Sequence, residues 1–351
     1  MKISFLILFL GAFSLIAKAD HITGGEMFYT YTSTNNGEHQ YNVTLKLFMR
    51  CNSGRQFPNP AIISVFDKST LSRIRDISVS LFNQQTLQLT NPDPCITNPP
   101  NVCYEVAFYH FSISVPQNQA GYLLASQVNY RINGISNLDG SSQIGATYTC
   151  EIPGTGAPMN NSAVFTGTDL VIVCAGNYFS YSFAAKDDAV DQLRYSFCAA
   201  YRSSNFGVNG VPAGNPPYSA VPYNHPVFMD TSPLGNKVTI DPATGLISGI
   251  APPEGVYVVT VCVDEIRNGT VIATQRKDLQ INVTDCSIAA ALLEDDYMLC
   301  GNTRAITINN LSNSPLIVTY DWSVINAAGA ELFTTKNSVL NFTFPVNGKY
   351  T

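Results

Sequence analysis

Charged side chains are scarce in this sequence of 351 residues. Asp, Glu, Lys and Arg make up 13% of it, where about 25% is usual for a soluble domain. The formal net charge is -6 and basic residues form no cluster, which argues against a nucleic-acid-binding surface. The only long apolar run lies at the extreme N-terminus, which argues against a helical membrane protein. With 45% hydrophobic residues the chain can still bury real cores, so wholesale disorder is excluded.

Sequence motifs for metal-assisted and nucleophilic catalysis are also missing. The four histidines are scattered, and the sequence has neither H-E-x-x-H nor G-x-S-x-G. The cysteines form no C-x-x-C pair, which argues against a zinc site. We therefore expect no catalytic residue and predict that the protein is not an enzyme.

The N-terminus has the three parts of a secretory signal peptide. Lys2 supplies a positive charge, residues 3–16 are almost entirely apolar, and residues 17–19 read Ala-Lys-Ala. The apolar stretch is short for a membrane span, and the small-x-small triplet is typical of a cleavage site. An uncleaved membrane anchor is the alternative. We predict a signal peptide over residues 1–19 and an exported protein located outside the cell or at its surface.

Alternation of apolar and polar residues predicts strands along most of the chain. In residues 41–49, every second residue is apolar, and residues 122–132, 179–183, 257–263 and 279–283 show the same period of two. Turn-forming Gly, Pro and Asn separate these runs, a pattern typical of β-sandwiches. Only residues 287–298 have a sequence compatible with a helix. We therefore predict an all-β fold of tandem sandwich modules.

Three units follow the signal peptide in this interpretation. They comprise an N-terminal β-sandwich over residues 20–165, a second module over 166–285 and a third that begins at 286. The sequence at 173–177 is echoed at 299–302, which supports a tandem array. A sandwich of this kind needs about seven strands, and residues 286–351 supply fewer. We expect the last module to be incomplete and the chain to be the N-terminal part of a longer protein.

Several sequence blocks resemble exported proteins linked to gliding motility and type IX secretion. They are Asp-His-Ile-Thr-Gly-Gly-Glu-Met at 20–27, the cysteine-containing segments 94–100 and 103–106, and the segments 144–148, 171–174 and 245–250. The resemblance covers nearly the whole chain and implies immunoglobulin-like modules, often of the PKD type. It implies a PKD-like third unit, residues 286–351, with a core strand at 320–322 and a late hairpin at 344–350.

The nine cysteines fit disulfide formation in an oxidising compartment, and their odd number leaves at least one unpaired. Cys95 and Cys103 flank a short Pro-rich segment, which favours a local disulfide. Strand phase places Cys198 and Cys262 on one side of a sheet if their strands are neighbours. Three further expectations complete the set: Cys51 with Cys150, Cys286 with Cys300, and Cys174 left over. Because related sequences tend to carry a cysteine pair near residues 129–130 and this one does not, Cys150 is either a replacement partner or a buried thiol.

The resemblance also suggests a calcium loop. Similar modules place an Asp-x-Asp-Gly-Asp loop between two aromatic strands, and this chain has Asp187, Asp188 and Asp191 at that point. Calcium takes six to eight oxygen ligands, so three carboxylates would need help, for which Asp264 is a candidate. The alternative is a solvated acidic turn. No other cofactor is expected.

Aromatic residues accumulate in and beside a long loop rich in Gly, Pro and Asn over residues 205–226. They are Tyr201, Phe206, Tyr218, Tyr223 and Phe228. Such side chains on a rigid sandwich can form a contact surface for a glycan or protein ligand. Alternatively, they pack the loop onto its own sheet.

Together these features predict a non-catalytic, exported, modular protein of the cell surface or the extracellular space. We expect it to function in adhesion, surface display or gliding motility. Its expected partners are an extracellular glycan or protein ligand and the export machinery. The alternative is that this region is the targeting and stalk part of a larger secreted hydrolase, whose catalytic domain lies beyond residue 351.

Overall fold

A computed structural model describes residues 22–89, 96–97, 102–141, 144–188, 192–205, 209–288, 293–294, 296–301, 303–311, 317 and 319–351. Every regular element in these residues is a β-strand, so the predicted all-β class is confirmed. Within them, no helix is long and apolar enough to cross a membrane. The signal peptide, Cys95, Phe206 and Asp191 lie outside the described residues.

The described residues between 22 and 152 form nine strands. They are β1 (Ile22–Asn35), β2 (Glu38–Arg50), β3 (Ala61–Asp67), β4 (Arg73–Val79), β5 (Asn83–Gln88), β6 (Ile96–Thr97), β7 (Cys103–Pro116), β8 (Tyr122–Val128) and β9 (Ala146–Ile152). The long ones carry β-branched or aromatic side chains at alternate positions, as a half-buried strand requires.

Fourteen further strands follow in the described part of residues 153–351. They are β10 (Val164–Phe165), β11 (Ile172–Cys174), β12 (Tyr178–Ser182), β13 (Ala185–Lys186), β14 (Gln192–Phe197), β15 (Val238–Ile240), β16 (Leu246–Ile250), β17 (Gly255–Arg267), β18 (Thr270–Thr284), β19 (Ser287–Ile288), β20 (Ala305–Asn309), β21 (Trp322–Ile325), β22 (Glu331–Thr335) and β23 (Val339–Thr343). The segment 287–298, the one candidate for a helix, begins as strand β19, and its described residues form no helix.

One long sheet joins the two parts of the chain that the sequence interpretation separated at residue 165. Its strand order is β14-β17-β18-β1-β2-β7-β5, and β11 also pairs with β18, in parallel. The link between the two halves is the pairing of β1 with β18, where Gly24 lies opposite Leu279. A Cβ at Gly24 would overlap the carbonyl oxygen of Asp278, so this close approach requires glycine. The boundary at 165 therefore does not separate two sheets.

Two hydrophobic cores lie on opposite faces of this shared sheet. Leu47 belongs to the first core, which the sheet β4-β3-β8-β9 covers, whereas its neighbour Phe48 belongs to the second. Adjacent strand residues point to opposite faces, so both faces of β2 are buried at this point. The second core also contains Ile247 of the small sheet β12-β16-β15. The shared sheet is thus the middle layer where the two cores overlap.

The last segment has little buried apolar surface. Strands β20 and β23 form one pair and β21 and β22 another, with Val324 and Leu340 as their buried hydrophobic residues. Residues 322–325 form a strand, close to the expected core strand. The expected hairpin at 344–350 is not formed; these residues make bends and one isolated bridge between Tyr350 and Asn326.

Among the cysteines that the structure describes, three disulfides join distant segments, and strand register explains each of them. Cys198 is bonded to Cys262, the pair that strand phase predicted, because β14 lies beside β17. The other pairs differ from the predictions: Cys51 is bonded to Cys103, and Cys174 to Cys286.

The first correction follows from the β2–β7 pairing. Arg50 lies opposite Tyr104, which puts Cys51 beside Cys103. Cys103 is therefore not available to Cys95, and Cys51 is not available to Cys150. Cys150 is a free thiol buried in the first core, as the buried-thiol alternative stated.

The second correction follows from the parallel pairing of β11 with β18. Cys174 lies opposite Thr284, two residues before Cys286, so these two cysteines meet. Cys174 is therefore not left over, and the predicted Cys286–Cys300 pair is wrong. Cys300 is a free, exposed thiol.

Candidate functional site

The predicted calcium loop is only partly described. Asp187 is half-buried, and the exposed Asp188 pairs with Lys186 at 2.9 Å. Asp264, the candidate extra ligand, accepts hydrogen bonds from Arg194 and Thr274. Among the described residues no group of three or more His, Cys, Asp or Glu could hold a metal ion. Calcium binding here stays a prediction.

The aromatic side chains of the long-loop region pack inward where the structure describes them. Tyr223 is buried in a small cluster with Val258, and its hydroxyl accepts a hydrogen bond from the Ala200 amide. Phe228 packs edge-on against Tyr257. These contacts support the packing interpretation over a contact surface.

A polar pocket lies on the first-core face of the shared sheet. Its lining residues come from β1, β9, β17, β18 and the loop after β14: Gly25, Thr147, Tyr148, Thr149, Tyr201, Thr260, Arg276 and Asp278. We call it the Asp278 pocket. Its volume of about 10 Å³ is enough for about one water molecule.

A buried ion pair closes one side of the Asp278 pocket. Arg131 is fully buried and donates from both terminal nitrogens to the Asp278 carboxylate, with Nη1 2.9 Å from Oδ1. Burial by itself would lower the pKa of Arg131, but the adjacent Asp278 carboxylate holds that pKa above its ordinary value. The guanidinium therefore stays charged, and the pair is bidentate, the strongest geometry for these two groups.

Two buried polar atoms of the pocket lining, Tyr148 Oη and Thr260 Oγ1, have no hydrogen-bond partner among the described residues. The Nε of Arg131, whose terminal nitrogens pair with Asp278, has none there either. Burial also raises the pKa of Tyr148, so its hydroxyl keeps its proton and can donate. Because buried polar groups are rarely left unpaired, the pocket fits an ordered water. It is too small for an organic substrate.

A second polar cluster lies on the opposite face of the same sheet. Register places Lys46 of β2 beside Glu26 of β1, and Glu26 beside Lys277 of β18. Asp169, from the segment before β11, lies over this row. Its Oδ1 is 2.5 Å from Lys277 Nζ, and its Oδ2 is 2.5 Å from Lys46 Nζ. We call these four residues the charge tetrad.

The charge tetrad is electrically neutral and buried. Lys277 is 2% exposed and Lys46 15% exposed. Burial would raise the pKa of Asp169, but Lys277 and Lys46 hold it below its ordinary value. For Lys46, the attraction of Glu26 and Asp169 exceeds the effect of burial and raises the pKa. Each charge thus has an opposite charge within reach, as buried ions require.

Neither polar cluster was predicted from the sequence. Lys46 lies between the apolar positions of the run 41–49, and the next residue on its side of the strand is Phe48, which breaks the polar alternation. Lys277 has the same strand phase as the buried Leu279 and Ile281. A charged side chain in phase with buried residues was the available signal.

Comparison with known proteins does not assign this chain to a family. Neither the protein-family models nor the curated proteins compared with the sequence give a match. The resemblance to gliding-motility proteins therefore stays a prediction, and functional interpretation depends on the fold and the two polar clusters.

Proposed function

We propose that this protein is a non-catalytic structural protein of the cell surface or the extracellular space, with adhesion, surface display or a gliding-motility function. The all-β fold with three disulfides fits an extracellular protein. This disulfide set is the observation that carries the proposal. Each bond joins segments at least 52 residues apart and links two neighbouring strands of the shared sheet at or beside their ends or within them.

The polar clusters support a structural role over a catalytic one. In both of them the ionised groups form ion pairs with one another. The Asp278 pocket also has no room for an organic substrate. An extracellular glycan or protein is the proposed partner, and Phe82, which is 71% exposed beside the edge strand β5, is one apolar side chain available to it.

Protease treatment of intact source cells tests the location. Peptides from residues 22–285 should be released without lysis, while an abundant cytosolic protein should stay intact as the control. Release of these peptides only after lysis would contradict an exported surface protein.

Deletion of the gene tests the role. We expect weaker attachment to glycan-coated or protein-coated surfaces, or slower spreading, restored when the gene is supplied again. Unchanged attachment and spreading, together with hydrolase activity in the full-length product, would favour the stalk of a secreted hydrolase instead.

A further inference from the structure

The charge tetrad brings an amine and a carboxyl group into contact inside the protein. Lys277 Nζ lies 2.5 Å from Asp169 Oδ1, although the two residues are 108 positions apart in the chain. The β11–β18 pairing and the Cys174–Cys286 disulfide hold the same two segments together. Groups fixed in this way react as if at very high concentration, with effective molarities of about 10⁵–10⁸ M in well-oriented cases.

Aromatic rings separate Lys277 from water. Its Nζ lies 6.0 Å from the ring centroid of Phe48, 5.7 Å from that of Phe165 and 5.9 Å from that of Phe183. Burial by itself opposes both charges, whereas the opposite charges of the tetrad stabilise them, so amide formation starts from the fraction of molecules in which a proton has moved from Lys277 to Asp169 to give a neutral amine and a neutral acid. Those neutral forms are the reactive ones for amide formation.

We propose that Lys277 and Asp169 form an intramolecular isopeptide bond, with Glu26 as the proton carrier and Lys46 as the stabiliser of the carbonyl oxygen. This proposal goes beyond the structural role proposed above. It also requires no particular compartment, because the reaction uses no oxidant and no other co-reactant.

The reaction balances within the tetrad. Lys277 Nζ passes one proton to Asp169 Oδ1, and the neutral amine then attacks Cγ of Asp169 to form a tetrahedral intermediate. Nζ passes a second proton to Glu26, whose Oε1 lies 3.7 Å away. Glu26 returns that proton to the departing Oδ1 hydroxyl, which leaves as water while the carbonyl re-forms. One ammonium and one carboxylate become one amide and one water, and Glu26 is regenerated.

Lys46 has a distinct place in this scheme. Its Nζ donates to Oδ2, the oxygen that carries negative charge in the intermediate and becomes the amide oxygen. After the bond has formed, Lys46 and Glu26 remain as a matched ion pair with Nζ and Oε1 3.2 Å apart. The site is therefore neutral both before and after reaction, which explains why two lysines and two carboxylates occur together.

Lys277 is the nucleophile rather than Lys46 because of its surroundings. Lys46 is the more exposed of the two, so it keeps more hydration and its charge.

Peptide mapping by mass spectrometry tests the bond in the whole chain. The protein is reduced, alkylated, denatured and digested with trypsin. We expect a branched peptide that contains Asp169 and Lys277, is lighter by one water molecule than its two parts, and is not cleaved after Lys277. Linear peptides beginning at Asp278, which require cleavage after Lys277, would overturn the proposal if they came from protein in which the three disulfides had formed. A branch at Lys46 would overturn the choice of nucleophile.

The same digest contains an internal control. Lys68 Nζ and Glu151 Oε2 are 2.6 Å apart, but both side chains are more than a quarter exposed and no third charged group is paired with them among the described residues. We expect no branched peptide from Lys68 and Glu151. A branch there as well would mean that proximity alone, not the buried tetrad, causes cross-linking.

Variants assign the roles. Lys277→Arg and Asp169→Ala should lack the branched peptide, and Glu26→Gln should lack it while keeping the far-UV circular dichroism of the parent. Asp169→Asn gives a specific signature, because its cross-link would release ammonia instead of water. A full yield of cross-link in Glu26→Gln would overturn the role of Glu26. If a variant fails to fold, the wild-type digest still decides whether the bond exists.

Discussion

Replacing Asp278 by alanine should lower the free energy of unfolding by about 3–5 kcal/mol, because it leaves the Arg131 guanidinium buried without its counter-ion. Arg131 is fully buried, and the Asp278 side chain is 5% exposed. Without the carboxylate, Arg131 would keep one long hydrogen bond, 3.4 Å from Nη2 to the Tyr201 carbonyl, and its Nε already has no partner among the described residues. The free energy of unfolding falls because the buried guanidinium has lost its hydration and no longer has a counter-ion in its place.

Urea denaturation followed by far-UV circular dichroism measures this cost. Fluorescence of the single tryptophan is unsuitable, because Trp322 lies in β21, outside the sheet that carries Arg131 and Asp278. Glu151→Ala is the matched control: it removes the half-buried carboxylate that pairs with Lys68 and should cost about 0–1 kcal/mol.

The double variant Arg131→Met, Asp278→Leu separates charge burial from packing. Removing both ions leaves no unpaired charge, so the double variant should be more stable than Asp278→Ala alone. The reasoning would be refuted if Asp278→Ala cost no more than Glu151→Ala, or if the double variant cost the sum of its two single changes.

Three other predictions concern the cysteines and a buried carboxyl. Replacing both Cys198 and Cys262 by serine should remove about 4 kcal/mol of stability in the chain-entropy model for a separation of 64 residues; a loss below about 1 kcal/mol in calorimetry would contradict it. Iodoacetamide should label Cys300 in the native protein and Cys150 only after unfolding, because Cys150 is enclosed and burial raises its pKa; mapping the labelled peptides checks this, and rapid native labelling of Cys150 would be the contrary result. Burial raises the pKa of Glu265 above its ordinary 4.5, so the folded state binds this proton more tightly than the unfolded state and stability falls as pH rises from about 4.5; Glu265→Gln should remove that part of the pH dependence of urea unfolding, and an unchanged profile would exclude it.

Strand positions could be predicted because their signal is local. The alternation over residues 41–49 lies within β2, and the runs at 179–183 and 257–263 match β12 and β17 closely. Each of these patterns needs only one strand with a buried face. The Cys198–Cys262 pair followed from the same local phase once the two strands were taken as neighbours.

Features that depend on partner strands could not be predicted in the same way. The Cys51–Cys103 bond depends on the register of β2 against β7, and the Cys174–Cys286 bond on a parallel pairing between segments far apart in the chain. The Asp278 pocket similarly collects side chains from several strands and a loop. One-dimensional spacing does not contain this information.

The sequence by itself determined that the chain forms strands with alternating buried side chains, because side-chain period and β propensity act within a few residues. Only the tertiary structure decided that β1 lies against β18, so that one sheet serves two cores. Because of that pairing, three charged residues from separate strands lie side by side beneath Asp169. They are Glu26, Lys46 and Lys277. The physical reason is that burial and charge pairing depend on which strands meet, and that is settled by long-range packing.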